Sequence, residues 1–342
     1  MLHFESDYTR GACPAVLERL VATNAGQTPG YGADGHCAKA RKLILDACGL
    51  SADEAEVQFL VGGTQTNATI IDGLLRHCQG VIAADSAHVN VHESGAIEAS
   101  GHKVIALPGH DGKLDADEVD AYIKSFYRDD TWPHMTMPGM VYISHPTELG
   151  TLYSLEELTA LSNVCRSNEI PLYMDGARMA YALGSDASRV KLTDIARLCD
   201  AFYIGGTKCG ALFGEAAVVR KGLIPRLFSL IKQHGALLAK GRLLGVQFEA
   251  LFTDGVYERQ GRHAVEMAMK LRDGMRSRGY RVLFPSPTNQ QFFVLPNSVV
   301  ESLSKVAGFE HWGPAGDSES AVRFVVDWGT REEDVDALLA AL

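Results

Sequence analysis

The sequence predicts an α/β protein with a mostly parallel sheet, followed by a smaller α+β domain. Three observations indicate this fold class. Short apolar runs are continuous rather than alternating, which is typical of strands covered on both faces. These runs alternate with longer amphipathic segments, as strands and helices do in parallel sheets. After about residue 222 the alternation stops, and long helical segments precede a few short strands.

Seven apolar runs are the strand candidates of the larger sheet. Because helix candidates separate them, we expect a seven-stranded sheet whose strands run mostly parallel. The runs span residues 57–61, 80–85, 103–107, 139–144, 171–175, 201–205 and 216–220.

Amphipathic segments between these runs predict helices. The segment 154–167 shows the signals most clearly, because Ser154 and Glu157 have the spacing of a capping box. Leucines at 155, 158 and 161 then mark one face of the helix. The other helices are predicted over residues 36–48, 65–78, 115–127 and 189–198.

The last third of the chain predicts a separate small domain. One long helix is expected over 222–253 and another over 257–278, followed by short strands and a closing helix. The strands are predicted at 281–284, 291–296 and 321–328, and the helix at 331–342. We therefore expect an N-terminal arm (1–20), a large domain (21–235) and a small domain (236–342).

Composition restricts the possible functions. A net charge of −10 and a pI of about 5.6 argue against a general nucleic-acid binder, which needs concentrated Lys and Arg. No apolar run is long enough to span a bilayer, and the first residues do not resemble a secretory signal. The seven cysteines show no paired spacing. We expect a cytoplasmic protein without membrane or nucleic-acid partners.

Polar residues follow several of the predicted strands. Ligands of open α/β sheets bind beyond the carboxyl ends of the strands, so these residues are the site candidates. Gly63, Thr64 and Gln65 open a helix after the first strand, where backbone N–H groups favour a phosphate. The segment matches neither a Walker A loop nor GxGxxG. A plain turn capped by Thr64 is the alternative.

Four further candidates follow other strands: His88, His145, Asp175 and Lys208. Each has an ordinary explanation by itself, such as a turn aspartate or a solvated lysine. His88 and His92 do not form an HExxH motif, so no metal site is predicted. Together, however, a phosphate turn, a histidine, an aspartate and a lysine are what pyridoxal 5′-phosphate requires. The lysine forms a Schiff base, and the aspartate keeps the ring nitrogen protonated.

Eight segments, in this order, also match a known family pattern. They are SDYTRG (6–11), TPGYGAD (28–34), GGTQTN (62–67), SAHVNVHESGA (86–96), PTELGT (146–151), MDGAR (174–178), GGTK (205–208) and VRFVVDW (322–328). With them the chain resembles the fold type I pyridoxal-phosphate enzymes, in particular the threonine aldolase and β-eliminating lyase group. The resemblance extends over nearly the whole chain. It implies an aspartate-aminotransferase-like large domain.

The resemblance also implies an activity. An aldolase of this group would cleave L-threonine, L-allo-threonine or a related β-hydroxy-α-amino acid to glycine and an aldehyde. It implies a homo-oligomer, a dimer or a tetramer, whose active sites are shared between subunits.

Site residues carried over by position divide into cofactor and substrate contacts. Lys208 would bind the cofactor covalently, Asp175 would pair with the ring nitrogen, and His88 would stack on the ring. Arg178 would lie beside the phenolic oxygen. The phosphate would be held by Gly63, Thr64 and Gln65, and by Arg242 (alternatively Lys240) of a neighbouring subunit. Ser6 and Arg323 would bind the substrate carboxylate, and Tyr31 would lie at the subunit boundary. A structural salt bridge to an acidic residue is the alternative for Arg323.

Two departures from the family pattern affect these assignments. SHPTE stands where many threonine aldolases have ENTH, so either His145 or Thr147 would make the contact to the β-hydroxyl. The base there is His88, His145 or a water. GGT precedes the lysine where many members have a serine, which suggests a shifted substrate range.

Two other functions stay open from the sequence. Another β-eliminating lyase or an aminotransferase would use the same lysine. A nucleotide-binding α/β protein could use the glycine turn without covalent chemistry, although GxGxxG is missing.

Overall fold

A computed structural model describes residues 1–342, and its centre is a seven-stranded sheet. The strand order is β2-β8-β7-β6-β5-β3-β4, and only β8 runs antiparallel to its neighbours. These strands are β2 (Ala55–Leu60), β3 (Gln79–Ala84), β4 (Lys103–Leu107), β5 (Met137–Ser144), β6 (Leu172–Asp175), β7 (Ala201–Gly205) and β8 (Glu215–Arg220). All seven predicted strands and the mostly parallel sheet are confirmed.

A four-stranded antiparallel sheet, in the order β12-β13-β10-β9, forms the second layer near the C-terminus. The N-terminal segment joins this region, because β1 pairs in parallel with β11 and the Phe4 carbonyl accepts from the Val325 N–H. The remaining strands are β1 (Leu2–His3), β9 (Arg281–Val282), β10 (Gln290–Pro296), β11 (Ala307–Gly308), β12 (Glu310–Pro314) and β13 (Glu319–Val325).

Helices cover the larger sheet and flank the smaller one. Ser154 and Glu157 form the predicted capping box at the start of α7. The helices are α1 (Pro14–Thr23), α2 (Gly35–Cys48), α3 (Gly63–Leu74), α4 (His88–Val91), α5 (Ala96–Ala99), α6 (Ala116–Arg128), α7 (Leu155–Ser167), α8 (Met179–Leu183), α9 (Leu192–Leu198), α10 (Leu227–Gln233), α11 (Arg242–Leu251), α12 (Val256–Ser277), α13 (Asn297–Leu303) and α14 (Glu332–Ala340), with a 3₁₀ helix at Trp132–His134.

One predicted element is wrong. The stretch 222–253 is not a single long helix but two short ones, α10 and α11, separated by a turn. Gly235 adopts a φ of +72° just after α10, a conformation that ends a helix and that glycine adopts without a steric penalty. Helix α11 then packs on α1 and α2 instead of bridging two domains.

Three tyrosines on neighbouring strands of the large sheet are fully buried: Tyr142, Tyr173 and Tyr203. A buried hydroxyl needs a hydrogen-bond partner, and all three point theirs toward polar side chains at the carboxyl ends of the strands. The core therefore ends in a polar layer at that edge.

No helix is both long and apolar enough to cross a membrane.

Candidate active site

A cavity of about 260 Å³ lies at this edge of the large sheet. Six of the predicted site residues line it: Gly63, Thr64, His88, Asp175, Arg178 and Lys208. A larger groove of about 840 Å³, which includes Leu183, Arg189 and Tyr257, contains none of them. The chemistry therefore places the candidate active site in the smaller cavity.

Asp175 ends β6 and is almost completely buried. Its Oδ1 accepts hydrogen bonds from the Tyr203 hydroxyl at 2.6 Å and the Ala177 N–H at 2.9 Å. Its Oδ2 accepts from the Tyr142 hydroxyl at 2.7 Å and the Asn67 amide at 2.9 Å. Burial alone raises the pKa of Asp175, but nearby His88 and these donors outweigh it and hold the pKa below its ordinary value. The carboxylate is kept ionised.

His88 begins the short helix α4 and is oriented by Glu93. The Glu93 carboxylate lies 2.7 Å from Nδ1 of His88 and 2.8 Å from the Asn67 amide nitrogen. Asn67, in turn, accepts from the Tyr173 hydroxyl at 2.9 Å. One chain of hydrogen bonds thus joins the histidine, through Glu93 and Asn67, to Asp175. It leaves Nε2 as the free nitrogen of the imidazole.

Lys208 lies in the loop after β7, and its ammonium forms no ion pair in the structure. Burial and the nearby Arg178 lower the pKa of Lys208, although Asp7 and Asp175 act in the opposite direction. A lowered pKa increases the fraction of neutral amine, which is the nucleophilic form. Lys208 is therefore suited to attack a carbonyl.

Arg178 is held by a partner that the sequence did not predict. Its Nε and Nη2 donate to the two carboxylate oxygens of Asp7 at 2.7 and 3.0 Å. Burial raises the pKa of Asp7, but Arg178 and Lys208 outweigh it and keep the pKa below its ordinary value. Asn289 adds a hydrogen bond of 2.9 Å to Asp7. The pair fixes the guanidinium at the cavity wall.

The first turn of α3 forms one end of the cavity. Gly62 is the N-cap and has no side chain to cap the helix, so Thr64 is not the cap and the first N–H groups stay free for an anion. Gly63 passes close to Tyr203, whose hydroxyl would lie 3.1 Å from a Cβ at this position. Gln65 turns away, because its amide donates to the carbonyl of His234 at 3.0 Å.

Two predicted substrate-binding residues lie outside the cavity lining. Ser6 is buried in the N-terminal segment. Arg323, on β13, donates to the Gln290 side chain at 2.7 Å and forms an ion pair with Glu310. Gln290 makes a long contact of 3.5 Å to the carbonyl of Glu148, which lines the cavity. Arg323 thus lies one residue away from the cavity wall.

His145 is also outside the cavity lining. It is fully buried, its Nδ1 accepts from the Tyr153 N–H at 3.4 Å, and its Nε2 has no partner. Burial lowers the pKa of His145 to about 4. The structure therefore brings His88, but not His145, to the cavity.

Arg242 and Tyr31 lie away from this chain's cavity. The Arg242 guanidinium donates to the carbonyl and hydroxyl of Thr23 at 2.6 and 2.8 Å, and its Nε is buried without a partner. Tyr31 is 47% exposed, and Lys232 lies 5.0 Å from its ring centre. Neither residue lines the cavity of its own chain.

Several polar side chains of the site had no signal in the sequence strong enough to identify them. Glu215 lines the cavity, accepts from the Gly206 N–H at 3.0 Å and has its pKa raised by burial to about 8. Glu148 accepts from the His88 N–H at 3.0 Å, and burial raises its pKa. Glu93, Asn67 and Glu148 did lie within matched motifs, and their side-chain types next to His88, the phosphate turn and His145 were the available signal.

The cavity fits pyridoxal phosphate on three structural grounds. An uncapped helix N-terminus is available for the phosphate, at Gly63 and Thr64. A buried ionised carboxylate, Asp175, is available for a protonated ring nitrogen. A half-buried lysine without an ion pair, Lys208, is available for the aldehyde carbon.

The chain is similar to known proteins over most of its length. The family model described as beta-eliminating lyase matches residues 3–297. A low-specificity L-threonine aldolase from a Pseudomonas species is 30% identical, covering 98% of this chain and 96% of the relative. A Pseudomonas aeruginosa enzyme of the same description is also 30% identical, over 98% of this chain and 95% of its own.

Two solved structures are similar to this chain over nearly its whole length. A threonine aldolase from Leishmania major superposes with a TM-score of 0.96 at 40% identity and covers 99% of this chain and 98% of its own. Aspartate aminotransferase from Thermus thermophilus gives a TM-score of 0.71 at 18% identity, covering all of this chain and 90% of its own, which indicates a shared fold.

Proposed function

The chain belongs to the β-eliminating lyase family, within its threonine aldolase group, and we propose from this membership that it cleaves β-hydroxy-α-amino acids to glycine and an aldehyde. L-Threonine and L-allo-threonine are the proposed substrates. The observation that supports this most directly is the meeting of Lys208, Asp175 and the uncapped start of α3 in one cavity.

Pyridoxal phosphate is the proposed cofactor. When bound, it supplies an aldehyde that condenses with amines and a ring that accepts negative charge from the substrate Cα. Lys208 would hold it through Nζ, and the N–H groups of Gly63 and Thr64 would bind its phosphate. Asp175 would keep the proton on the ring nitrogen, because its four donors hold the carboxylate ionised.

We propose His88 as the base that removes the β-hydroxyl proton. Its ring lines the cavity, and Glu93 holds Nδ1, so Nε2 is the nitrogen that can accept the proton. The Glu93 carboxylate would stabilise the imidazolium that results. His145 is less suited, since it lies outside the cavity lining.

The substrate carboxylate is proposed to bind the cationic side of the site, at Arg323 together with Ser6. Orienting this carboxylate sets which bond at Cα stands perpendicular to the cofactor ring. Cleavage of Cα–Cβ would then release the aldehyde, and Cα would take up a proton to give glycine, whose amine Lys208 would displace.

We also propose a homo-oligomer with shared active sites, either a dimer or a tetramer. The position of Arg242 supports this, because Arg242 does not line the cavity of its own chain, while the family resemblance assigns it to the phosphate of a neighbouring subunit. Light scattering on the purified protein measures the subunit number.

We propose a cytoplasmic location as well. The seven cysteines are free thiols and six are not exposed, which supports this location.

One experiment tests the proposed reaction. Cofactor-loaded protein is incubated with L-threonine, L-allo-threonine and phenylserine, and the aldehyde and glycine are quantified beside a Lys208→Ala variant. Equimolar aldehyde and glycine from the wild type, and neither from the variant, support the proposal. A keto acid without aldehyde would instead indicate an aminotransferase. A visible band that borohydride abolishes identifies the cofactor bond to Lys208.

A further inference from the structure

The guanidinium of Arg323 already holds a carboxylate of its own chain. Glu310 lies directly opposite Arg323 in the pairing of β12 with β13, and the two side chains form an ion pair. Arg323 is 14% exposed and Glu310 is 42% exposed. Glu310 is therefore the more solvent-exposed partner, on an edge strand, while the arginine lies on an inner strand of the sheet.

Other contacts hold Arg323 in place independently of Glu310. Its Nη1 donates to Gln290, a fully buried residue, at 2.7 Å. Its guanidinium carbon lies 5.4 Å from the ring centre of Trp312. The register of β12 shifts between His311 and Gly313, so Trp312 stands at a bulge that turns its ring onto the arginine. The guanidinium would keep its position if Glu310 moved away.

The ion pair lies beside the candidate active site, behind Gln290. Arg323 is linked through Gln290 to Glu148 at the cavity wall. Glu310 and Arg323 both act electrostatically on His92, whose ring centre lies 5.7 Å from that of His88. A carboxylate that entered from the cavity would thus meet the same guanidinium that Glu310 occupies.

Glu310 supplies the counter-charge that the largely buried guanidinium of Arg323 needs. A largely buried guanidinium without a counter-charge is costly, and Arg178 increases the cost because it is a second cation nearby. Glu310 neutralises Arg323 before substrate binds. A substrate carboxylate can replace Glu310 without leaving an isolated buried charge, because the half-exposed glutamate returns to water.

We propose that Glu310 is a specificity-determining residue that occupies the carboxylate position on Arg323 and is displaced by the α-carboxylate of the amino-acid substrate. Glu310 thereby sets the affinity for that carboxylate as an internal competitor. The inference rests on the proposed function, since it takes an amino acid as the ligand of the cavity.

The test measures ligand binding to the holoenzyme by calorimetry, not turnover. Glycine carries the α-carboxylate and glycinamide lacks it, so the two ligands separate the carboxylate contact from the amine contact. The variants are Glu310→Gln and, as a matched control on the same sheet, Glu319→Gln, which removes a charge from β13 outside the pair. We expect Glu310→Gln to tighten glycine binding about 3- to 5-fold, the size typical of a partly exposed ion pair. Glycinamide binding and the Glu319→Gln variant should match the wild type.

A second variant checks that the effect passes through Arg323. Arg323→Gln should weaken glycine binding, and adding Glu310→Gln to it should have no further effect; circular dichroism shows whether each variant is folded. The inference is overturned if Glu310→Gln leaves glycine affinity unchanged or weaker, if it tightens glycinamide equally, or if glycine does not bind the wild type. Absence of aldehyde release from every β-hydroxy amino acid removes the proposed function alone, because glycine binding is measured separately.

Discussion

The Glu93 carboxylate lies 2.7 Å from Nδ1 of His88 and so determines which nitrogen of this histidine is free for proton transfer. The same oxygen accepts from Asn67, whose amide also reaches Asp175. Orientation of the proposed base and ionisation of the proposed ring partner therefore depend on one buried hydrogen-bond network. Four predictions follow from the contacts of this site.

Glu93→Ala should lower kcat by about 100-fold, the lower range of a general-base contribution, because His88 loses its orientation and its counter-charge. Glu93→Gln should lower it less, by about 10-fold, since the amide oxygen can still accept from both partners. Steady-state aldehyde release measures both. The exposed Glu98→Gln serves as the control and should behave as the wild type. Equal rates for wild type and Glu93→Ala would show that Glu93 does not position the base.

Asp175→Asn should lower the rate by about 100-fold or more, because an amide cannot hold a proton on a ring nitrogen electrostatically. The Asn NH₂ group would also face two of the four donors that now point at the carboxylate, which should destabilise the fold by about 1–3 kcal/mol. Aldehyde release and urea unfolding measure the two effects separately. A variant with wild-type activity would exclude Asp175 from the chemistry.

Asp7→Asn should lower the free energy of unfolding by about 3–5 kcal/mol, the usual cost of breaking a buried ion pair from one side. Arg178 would lose both charged contacts while staying largely buried. A double-mutant cycle measures the interaction. It compares the free energies of unfolding in urea of the wild type, Asp7→Asn, Arg178→Met and the double variant. The double variant should be less destabilised than the sum of the single ones. Simple additivity would mean that the two side chains do not interact in solution.

Glu215 should make stability fall with rising pH. Its pKa is raised from an ordinary value of 4.5 to about 8, mainly by burial, so the folded state holds a proton that the unfolded chain releases. The stability contribution is then complete below 4.5 and is lost as the pH rises through about 8. Unfolding free energies at about pH 6 and about pH 9 should differ less for Glu215→Gln than for the wild type. Parallel pH profiles for the two proteins would contradict the prediction.

Most of the secondary structure could be predicted because its signals are local. Continuous apolar runs identified all seven strands of the large sheet, and the capping box at Ser154 is present at the start of α7. The stretch 222–253 was predicted as one helix because its apolar pattern continues on both sides of the glycines within it. In the structure Gly235 takes a positive φ, and the packing of α11 on α1 and α2 outweighs helical continuity.

The candidate site could be predicted only in part. Residues at strand ends converge because parallel strands end at one edge of the sheet, so Asp175, His88 and Lys208 meet in one cavity as expected. Their partners come from far along the chain, such as Asp7 for Arg178, 171 residues away. Asp7 lies within the matched segment SDYTRG, but no short-range pattern marks it as the partner of Arg178.

The sequence by itself determined the fold class, the family and the residue types that could hold the proposed cofactor. Periodicity and motif order depend on neighbours along the chain, which the sequence contains directly. The tertiary structure alone decided the strand order, the antiparallel β8 and the distinction between His88 and His145. The tertiary structure also brings Glu310 into contact with Arg323. It buries Glu215, and this burial raises the pKa of the Glu215 carboxyl. Burial and long-range pairing arise only when distant segments pack together, because desolvation and charge act through space rather than along the chain.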